Sequence, residues 1–322
     1  MDGGGCRRRS RHQRLFFLLD CRVDAHVIGA LIVPVSGWDV AALLAKAVTY
    51  AATLSAAGCV FFVAYSDGLL QNPERTRIRR LLGASLATAA IASAATTLLL
   101  AASMGGDLAS MFDSTFLGML LRAGQGRATG VRFAGLLCAL SALSTTRRFQ
   151  APAIIGAILA ATSFAWVGHI HALRPNTLPT FVLCLHLLGA AFWLGALAPL
   201  LIVTRAGNGA QIGAIAARFG TAALGVVAAL IVAGAMLLWL LIDDAAKFWS
   251  SDYGWMLIGK LATVAVLLSI AALNKLNLTP RLLRGDVSAV SSLERSITAE
   301  IVLGGTVLLI TAAFTTIAGP PQ

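Results

Sequence analysis

The segment FGTAALGVVAALIVAGAMLLWLLI, residues 219–242, has no charged side chain and is long enough to cross a bilayer. An α-helix needs about 20 mostly apolar residues to span the hydrocarbon core of a membrane. Seven further apolar stretches meet or approach this length, which predicts an all-α polytopic membrane protein, a bundle of about eight transmembrane helices. In chain order, the predicted spans are residues 39–65, 81–103, 131–145, 151–172, 178–203, 219–242, 254–274 and 297–318.

The composition of the whole chain excludes a soluble domain. Of its 322 residues, 58% are hydrophobic and 12% are charged, whereas soluble domains carry roughly 25% charged residues. The formal net charge of +11 comes from basic residues in short runs between the apolar stretches. This pattern is typical of membrane topology signals and not of a phosphate-binding face. We therefore expect the lipid bilayer as a partner, and no nucleic acid.

The Lys and Arg residues are unequally divided between the two sets of alternate loops. Because cytoplasmic loops carry the excess of basic residues, the richer set predicts the cytoplasmic side. Both ends of the eight-helix core then face outward, to the periplasm or cell exterior, and Arg132 lies at the boundary of an outward loop. The basic residues of the predicted inner loops are Arg75, Arg77, Arg79, Arg80, Arg147, Arg148, Arg205, Arg218, Lys275, Arg281, Arg284 and Arg295.

Residues 1–37 are predicted to form a basic and apolar extension, separate from the membrane domain of residues 38–322. Five arginines occur between Arg7 and Arg14, and the apolar stretch from Leu15 to Val35 includes charged side chains. A charge at the centre of a spanning helix costs roughly 2.5 to 3.5 kcal/mol, so this stretch is a poor transmembrane segment. A signal-like segment, a ninth helix and the product of an upstream start codon all stay open.

Three of the five histidines occur close together along the chain. His169 and His171 end the fourth predicted helix, and His186 lies about two turns into the fifth. A tight outward turn joins these helices, which predicts that the three imidazoles lie near one another in the outer third of the bilayer. Neutral imidazole is a common ligand of copper, zinc, iron and nickel. The alternatives are a solvated interfacial role for His171 and structural roles for His169 and His186.

Other polar or soft side chains extend this candidate site. Thioether sulfur is a good Cu(I) ligand, which makes Met104 and Met111 further candidate ligands; ordinary apolar packing is the alternative. Lys46 and Lys260 are predicted to line a polar pathway below the histidines, unless they extend to the membrane surface. Helix packing at the site is assigned to Trp193 and Gly195, and Glu300 is expected at the cytoplasmic end of the last helix, paired with Lys275 or Arg295.

The sequence resembles the copper resistance D (CopD) family of inner-membrane proteins over roughly residues 39–321, most strongly over 168–321. The resemblance implies an eight-helix bundle that moves copper inward from the periplasm, often with a small periplasmic copper-binding partner. It places His169 and His186 on the family's histidine positions. One departure is Ala196, which replaces the second glycine often seen after the Trp-Leu-Gly motif of the family. The matching motifs are Gly168-His169, His186, Trp193-Leu194-Gly195, Arg218-Phe219, Tyr253-Gly254, Lys260-Leu261, Ala272-Leu273-Asn274, Pro280-Arg281, Arg295, Glu300 and Gly319-Pro320-Pro321.

The sequence thus favours a copper-handling protein of copper homeostasis or resistance, without enzymatic activity. A histidine and methionine site suits Cu(I) better than Cu(II), although an all-imidazole site also tolerates Cu(II). Two rivals stay open: a membrane electron carrier with haem bound by His169 and His186, and a non-metal scaffold or assembly factor. The chain has no nucleotide-binding motif, and no carboxylate is predicted at mid-membrane to relay protons.

Overall fold

The computed structural model describes residues 37–144, 146, 148, 150–167, 177–241 and 252–316. Internal contacts divide the chain into Met1–Gly37 and Trp38–Gln322, and the predicted extension lies outside the described residues except for Gly37. The described part contains helices and no strand, which confirms the all-α polytopic prediction. Its α-helices are α1 Gly37–Ser66, α2 Asn72–Gly105, α3 Ser114–Arg122, α4 Gly124–Ala139, α5 Gln150–Thr162, α6 Thr177–Trp193, α7 Leu197–Ala206, α8 Gly209–Leu241, α9 Asp252–Leu273, α10 Thr279–Leu283 and α11 Ser288–Phe314.

Six helical segments in the described residues are long and apolar enough to cross a membrane. The other two predicted spans correspond to shorter helices, the 16-residue α4 and the 13-residue α5. Each is followed by a 3-10 turn, Leu140–Leu143 after α4 and Ser163–Trp166 after α5. Helices therefore occur at all eight predicted positions. The six long segments are Gly37–Leu69, Asn72–Gly105, Leu178–Ala206, Gly209–Leu240, Gly254–Leu283 and Ser288–Ala313.

The helix α1 lies at the centre of the bundle. Over its most apolar window 56% of the residues are buried, against 6% for the segment that contains α9, most of whose side chains are therefore not enclosed by other helices. At its middle, α1 crosses the turn between α6 and α7 with backbone in contact with backbone. A Cβ at Gly58 would lie 2.0 Å from the carbonyl carbon of Gly195, so both positions need glycine. This crossing holds α6 in place against the core.

The turns that follow α1, α7 and α10 lie at one end of the bundle. Arg75 forms an ion pair with Asp67 in the first turn, with 2.6 Å between the guanidinium and carboxylate groups. The amide of Gln211, at the start of α8, donates to the buried Glu74 carboxylate over 2.8 Å. These turns belong to the loops that the basic residues predict to be cytoplasmic. Their position at one end of the bundle agrees with the prediction that alternate loops lie on opposite sides of the membrane.

Two polar residues lie deeper in the bundle than the sequence analysis predicts. Arg132 is inside α4 and only 3% exposed, and Glu300 lies near the middle of the 27-residue α11, also 3% exposed. The expected pairing of Glu300 with Lys275 or Arg295 is wrong. Its carboxylate accepts a hydrogen bond from the Asn274 amide, whereas the Lys275 ammonium donates to Thr221 over 2.8 Å.

Candidate functional site

His186 is the one histidine among the described residues, and it lies in the middle of α6, half-buried, at the contact with α8. The imidazole lies close to the backbone of Leu230. Its Nδ1 atom is buried and has no hydrogen-bond partner. A buried nitrogen without a partner is unusual, because burial removes its bonds to water. Such a nitrogen can coordinate a metal ion when it carries no proton.

Small residues bring α6 and α8 together around this imidazole. A Cβ at Gly189 would lie 2.9 Å from the side chain of Leu230, so the absence of a side chain permits the close approach. One turn further along α8, Gly234 faces the imidazole ring, and a Cβ there would lie 3.6 Å from the His186 Cε1 atom. Glycine at 234 therefore leaves space beside His186 that a larger side chain would fill.

Lys260 extends from α9 toward the same region. It is half-buried, and its charge lies close enough to His186 for an electrostatic interaction. The structure thus brings two of the predicted site residues together. In an apolar environment the positive charge of an ammonium group opposes the approach of a cation to the imidazole.

Lys46 lies in a different polar cluster, where the start of α1 meets the end of α11. Its ammonium donates to the backbone carbonyl of Thr315 over 3.1 Å and to the Thr316 hydroxyl over 3.4 Å. The Thr315 carbonyl lies at the C-terminal end of α11, where the helix dipole favours a positive charge. In the described residues Lys46 forms no hydrogen bond with His186 or Lys260, so the two lysines of the predicted pathway have separate surroundings.

Arg132 lies near Lys46. The sequence analysis did not identify it as a candidate functional residue. Its Nε donates to the Ser163 hydroxyl over 3.0 Å, and its Nη1 donates to the Ser93 hydroxyl over 3.4 Å. The guanidinium carbon lies 4.1 Å from the centre of the Phe164 ring, a cation–π contact. Within the described residues no carboxylate pairs with it. An arginine inside an apolar stretch was the signal that could have identified it.

The two methionines lie at the end of α2 and in the turn that follows. Met104 is in the last turn of α2 and 45% exposed, and Met111 is half-buried in the 3-10 segment Ala109–Phe112. The Ser110 hydroxyl and backbone N–H donate to Asp107 and hold the pKa of this carboxyl below its usual value. The carboxyl of Asp107 lies in the turn between Met104 and Met111 in the chain.

His169 and His171 lie outside the described residues, so their roles stay predictions. Among the described residues no group of three or more His, Cys, Asp or Glu side chains forms a metal site. Trp193 is buried, 6% exposed, at the end of α6, and Gly195 contacts α1. Both residues lie where the sequence analysis expects helix packing.

The chain is thus a multi-pass α-helical membrane protein with a half-buried imidazole between its helices, whose Nδ1 atom has no hydrogen-bond partner. Residues 37–174 match the family model Copper resistance protein D-like, N-terminal domain, and residues 213–314 match the family model Copper resistance protein D. The chain belongs to the copper resistance protein D family. His186 lies between the two matched regions and His169 within the first. No curated protein and no solved structure shows significant similarity to the chain.

Proposed function

We propose that this protein moves copper from the outer side of the bacterial inner membrane toward the cytoplasm, and that His186 binds the ion on its path. The observation that carries the proposal is the buried Nδ1 atom of His186, which lacks a partner in a chain of the copper resistance protein D family. Neutral imidazole nitrogen binds copper readily. The copper ion is the cargo of this protein and leaves the site again.

One imidazole does not complete a copper site, so further ligands are part of the proposal. His169 and His171 precede α6 in the chain, and Met104 and Met111 offer thioethers at the end of α2. Nitrogen and thioether ligands together suit Cu(I) better than Cu(II). We therefore propose Cu(I) as the transported ion, with Lys46 and Lys260 beside the path.

The proposed direction and orientation depend on the charges of the loops. The arginines at the turns that follow α1, α7 and α10 mark the cytoplasmic side, because basic residues are retained there. Both ends of the helical core then face the periplasm. A small periplasmic copper-binding protein is the proposed donor of the ion.

The first test compares copper binding by the detergent-purified protein and by His186→Gln. Glutamine keeps a hydrogen-bonding group at this position but is a poor copper ligand. We expect the wild type to bind Cu(I) in competition with a chromophoric chelator. The variant should lose at least about tenfold in affinity, because even loss of a residue that is hydrogen-bonded to a metal ligand lowers metal affinity about 10–100-fold. Accumulation of copper by cells that produce each protein gives the direction of transport.

The matched control is Leu185→Ala, the neighbouring residue of the same helix. Leu185 is 49% exposed, so its truncation leaves the core intact. This variant should bind and accumulate copper as the wild type does. Equal copper binding by wild type and His186→Gln would refute the role of His186. A Soret absorbance that disappears with His186 would point instead to haem, which the family match does not support.

A further inference from the structure

A buried acid–amide pair joins α11 to the segment that follows α9, and the proposed copper path does not use it. Glu300 lies near the middle of α11 and is 3% exposed. Asn274 begins the five-residue π-helical segment Asn274–Leu278, and its amide nitrogen donates to the Glu300 carboxyl. Short π-helical segments are rare and occur frequently at functional sites. An acidic side chain inside a membrane-spanning helix is energetically costly, so its presence also indicates a function.

The hydrogen bonds of this pair are incomplete. The Oδ1 atom of Asn274 is buried and accepts no hydrogen bond. An ionised carboxylate has acceptors only, so Glu300 in that form cannot satisfy this oxygen. A protonated Glu300 has an O–H group that can donate to Oδ1 while the other carboxyl oxygen accepts from the amide nitrogen. The neutral acid therefore completes the pair, and the ionised acid leaves a buried acceptor unsatisfied.

The described surroundings of Glu300 supply no compensating positive charge. No Lys or Arg in that part of the chain forms an ion pair with its carboxyl, whose hydrogen-bond partner there is the neutral amide of Asn274. An ionised carboxylate in this position therefore stays uncompensated in an apolar region. The charged groups of α11 and of the elements packed against it have other partners or positions. Lys260 lies beside His186, and Arg284 is at the surface. Hydrogen bonds join Lys275 to Thr221 and Arg295 to the Ser291 carbonyl, and ion pairs join Arg205 to Glu294 and Arg281 to Asp286.

We propose that Glu300 and Asn274 form a proton-binding site inside the membrane. Glu300 holds the proton as a carboxylic acid that donates to Asn274, and it releases the proton when water reaches the carboxylate. The two oxygen-bearing side chains are hard ligands, which Cu(I) binds poorly. The site therefore serves a proton and is separate from the copper site of His186.

The test uses a hydrophobic carbodiimide, which adds covalently to protonated carboxyl groups in apolar surroundings, on the full chain in lipid nanodiscs. We expect mass spectrometry to find the adduct on Glu300, with a yield that falls as the pH rises. Glu300→Gln removes this adduct while it keeps an amide donor for Asn274. The control is Glu294→Gln on the same helix, because the Glu294 carboxylate forms an ion pair with Arg205 over 2.6 Å. In this variant the labelling of Glu300 should persist.

Two results would overturn the proposal. One is the absence of an adduct on Glu300 in the folded protein at every pH, although the unfolded chain is labelled. The other is protection of Glu300 by sodium ions at constant pH, which would make the pair a cation site. Because His186→Gln should leave the labelling unchanged, failure of the copper proposal and failure of the proton proposal are distinguishable.

Discussion

Replacement of Gly195 by Ala tests the crossing of α1 with the turn between α6 and α7. A Cβ at this position would lie 2.1 Å from the Leu54 carbonyl oxygen and 2.9 Å from the Gly58 Cα atom. Favourable separations between non-bonded atoms are about 3.5 to 4.0 Å, so α1 must move by roughly 1.4 Å or more. The atoms in the way belong to the backbone, and no side-chain rotation can relieve the clash.

The expected cost of Gly195→Ala is at the upper end of the range for an overfilled core. Such substitutions typically cost 1–3 kcal/mol, and we expect about 3 kcal/mol because two helices must separate. Since each 1.4 kcal/mol is tenfold, the folding equilibrium falls by about 100-fold. Reversible unfolding in mixed micelles, followed by circular dichroism, measures this change directly.

The control for this experiment is Gly305→Ala on α11. A Cβ at Gly305 would meet nothing within 4 Å. Alanine in a helix is more stable than glycine by roughly 0.5–1 kcal/mol, so this variant should equal or exceed the wild type in stability. If Gly195→Ala unfolds at the same denaturant concentration as the wild type, the close backbone crossing does not exist in the protein.

Three further predictions concern other parts of the molecule. Gly234→Val fills the space beside the His186 ring and should weaken Cu(I) binding at least about tenfold in the chelator competition, whereas Gly234→Ala, at an ordinary 3.6 Å contact, should not. Arg132→Lys cannot maintain both hydroxyl contacts and the ring contact, and should lower the free energy of unfolding by about 1.5–3 kcal/mol in the micelle assay. Hydrogen bonds from Ser288 and then Arg281 hold the pKa of Asp286 below its ordinary value of 3.8. The resulting stability is present above that value and is lost as the pH falls through the lower folded pKa, so thermal melts of the wild type should lose more stability on acidification than those of Asp286→Asn.

The apolar helices could be predicted from the sequence because the bilayer imposes a simple length and composition on them. The interruption after Trp193 could not, because residues 178–203 are apolar throughout while the structure ends α6 at Trp193 and begins α7 at Leu197. The turn exists because Gly195 packs against Gly58, a contact between residues far apart in the chain. Hydropathy contains no information on such a contact.

The burial of Arg132 depended on partners that the sequence does not bring together. Ser93 is on α2, Ser163 is in the turn after α5, and the Phe164 ring lies beside it. Hydroxyl groups are common in apolar helices and do not indicate by themselves that a cation lies among them. Positive-inside counting treated Arg132 as a loop residue because it lies near the end of an apolar stretch. Its three contacts in the structure make it an internal residue of the bundle.

The position of Glu300 shows how an error in one helix boundary changes a functional conclusion. The last span was predicted to begin at residue 297, because residues 288–295 include polar and charged side chains. In the structure α11 begins at Ser288, where Asp286 accepts from the Ser288 backbone N–H and Arg205 pairs with Glu294. Nine additional residues at 1.5 Å each place Glu300 about 14 Å further along its helix than expected. A carboxyl expected at the cytoplasmic surface therefore lies within the bundle, where it can form the proton-binding site that we propose.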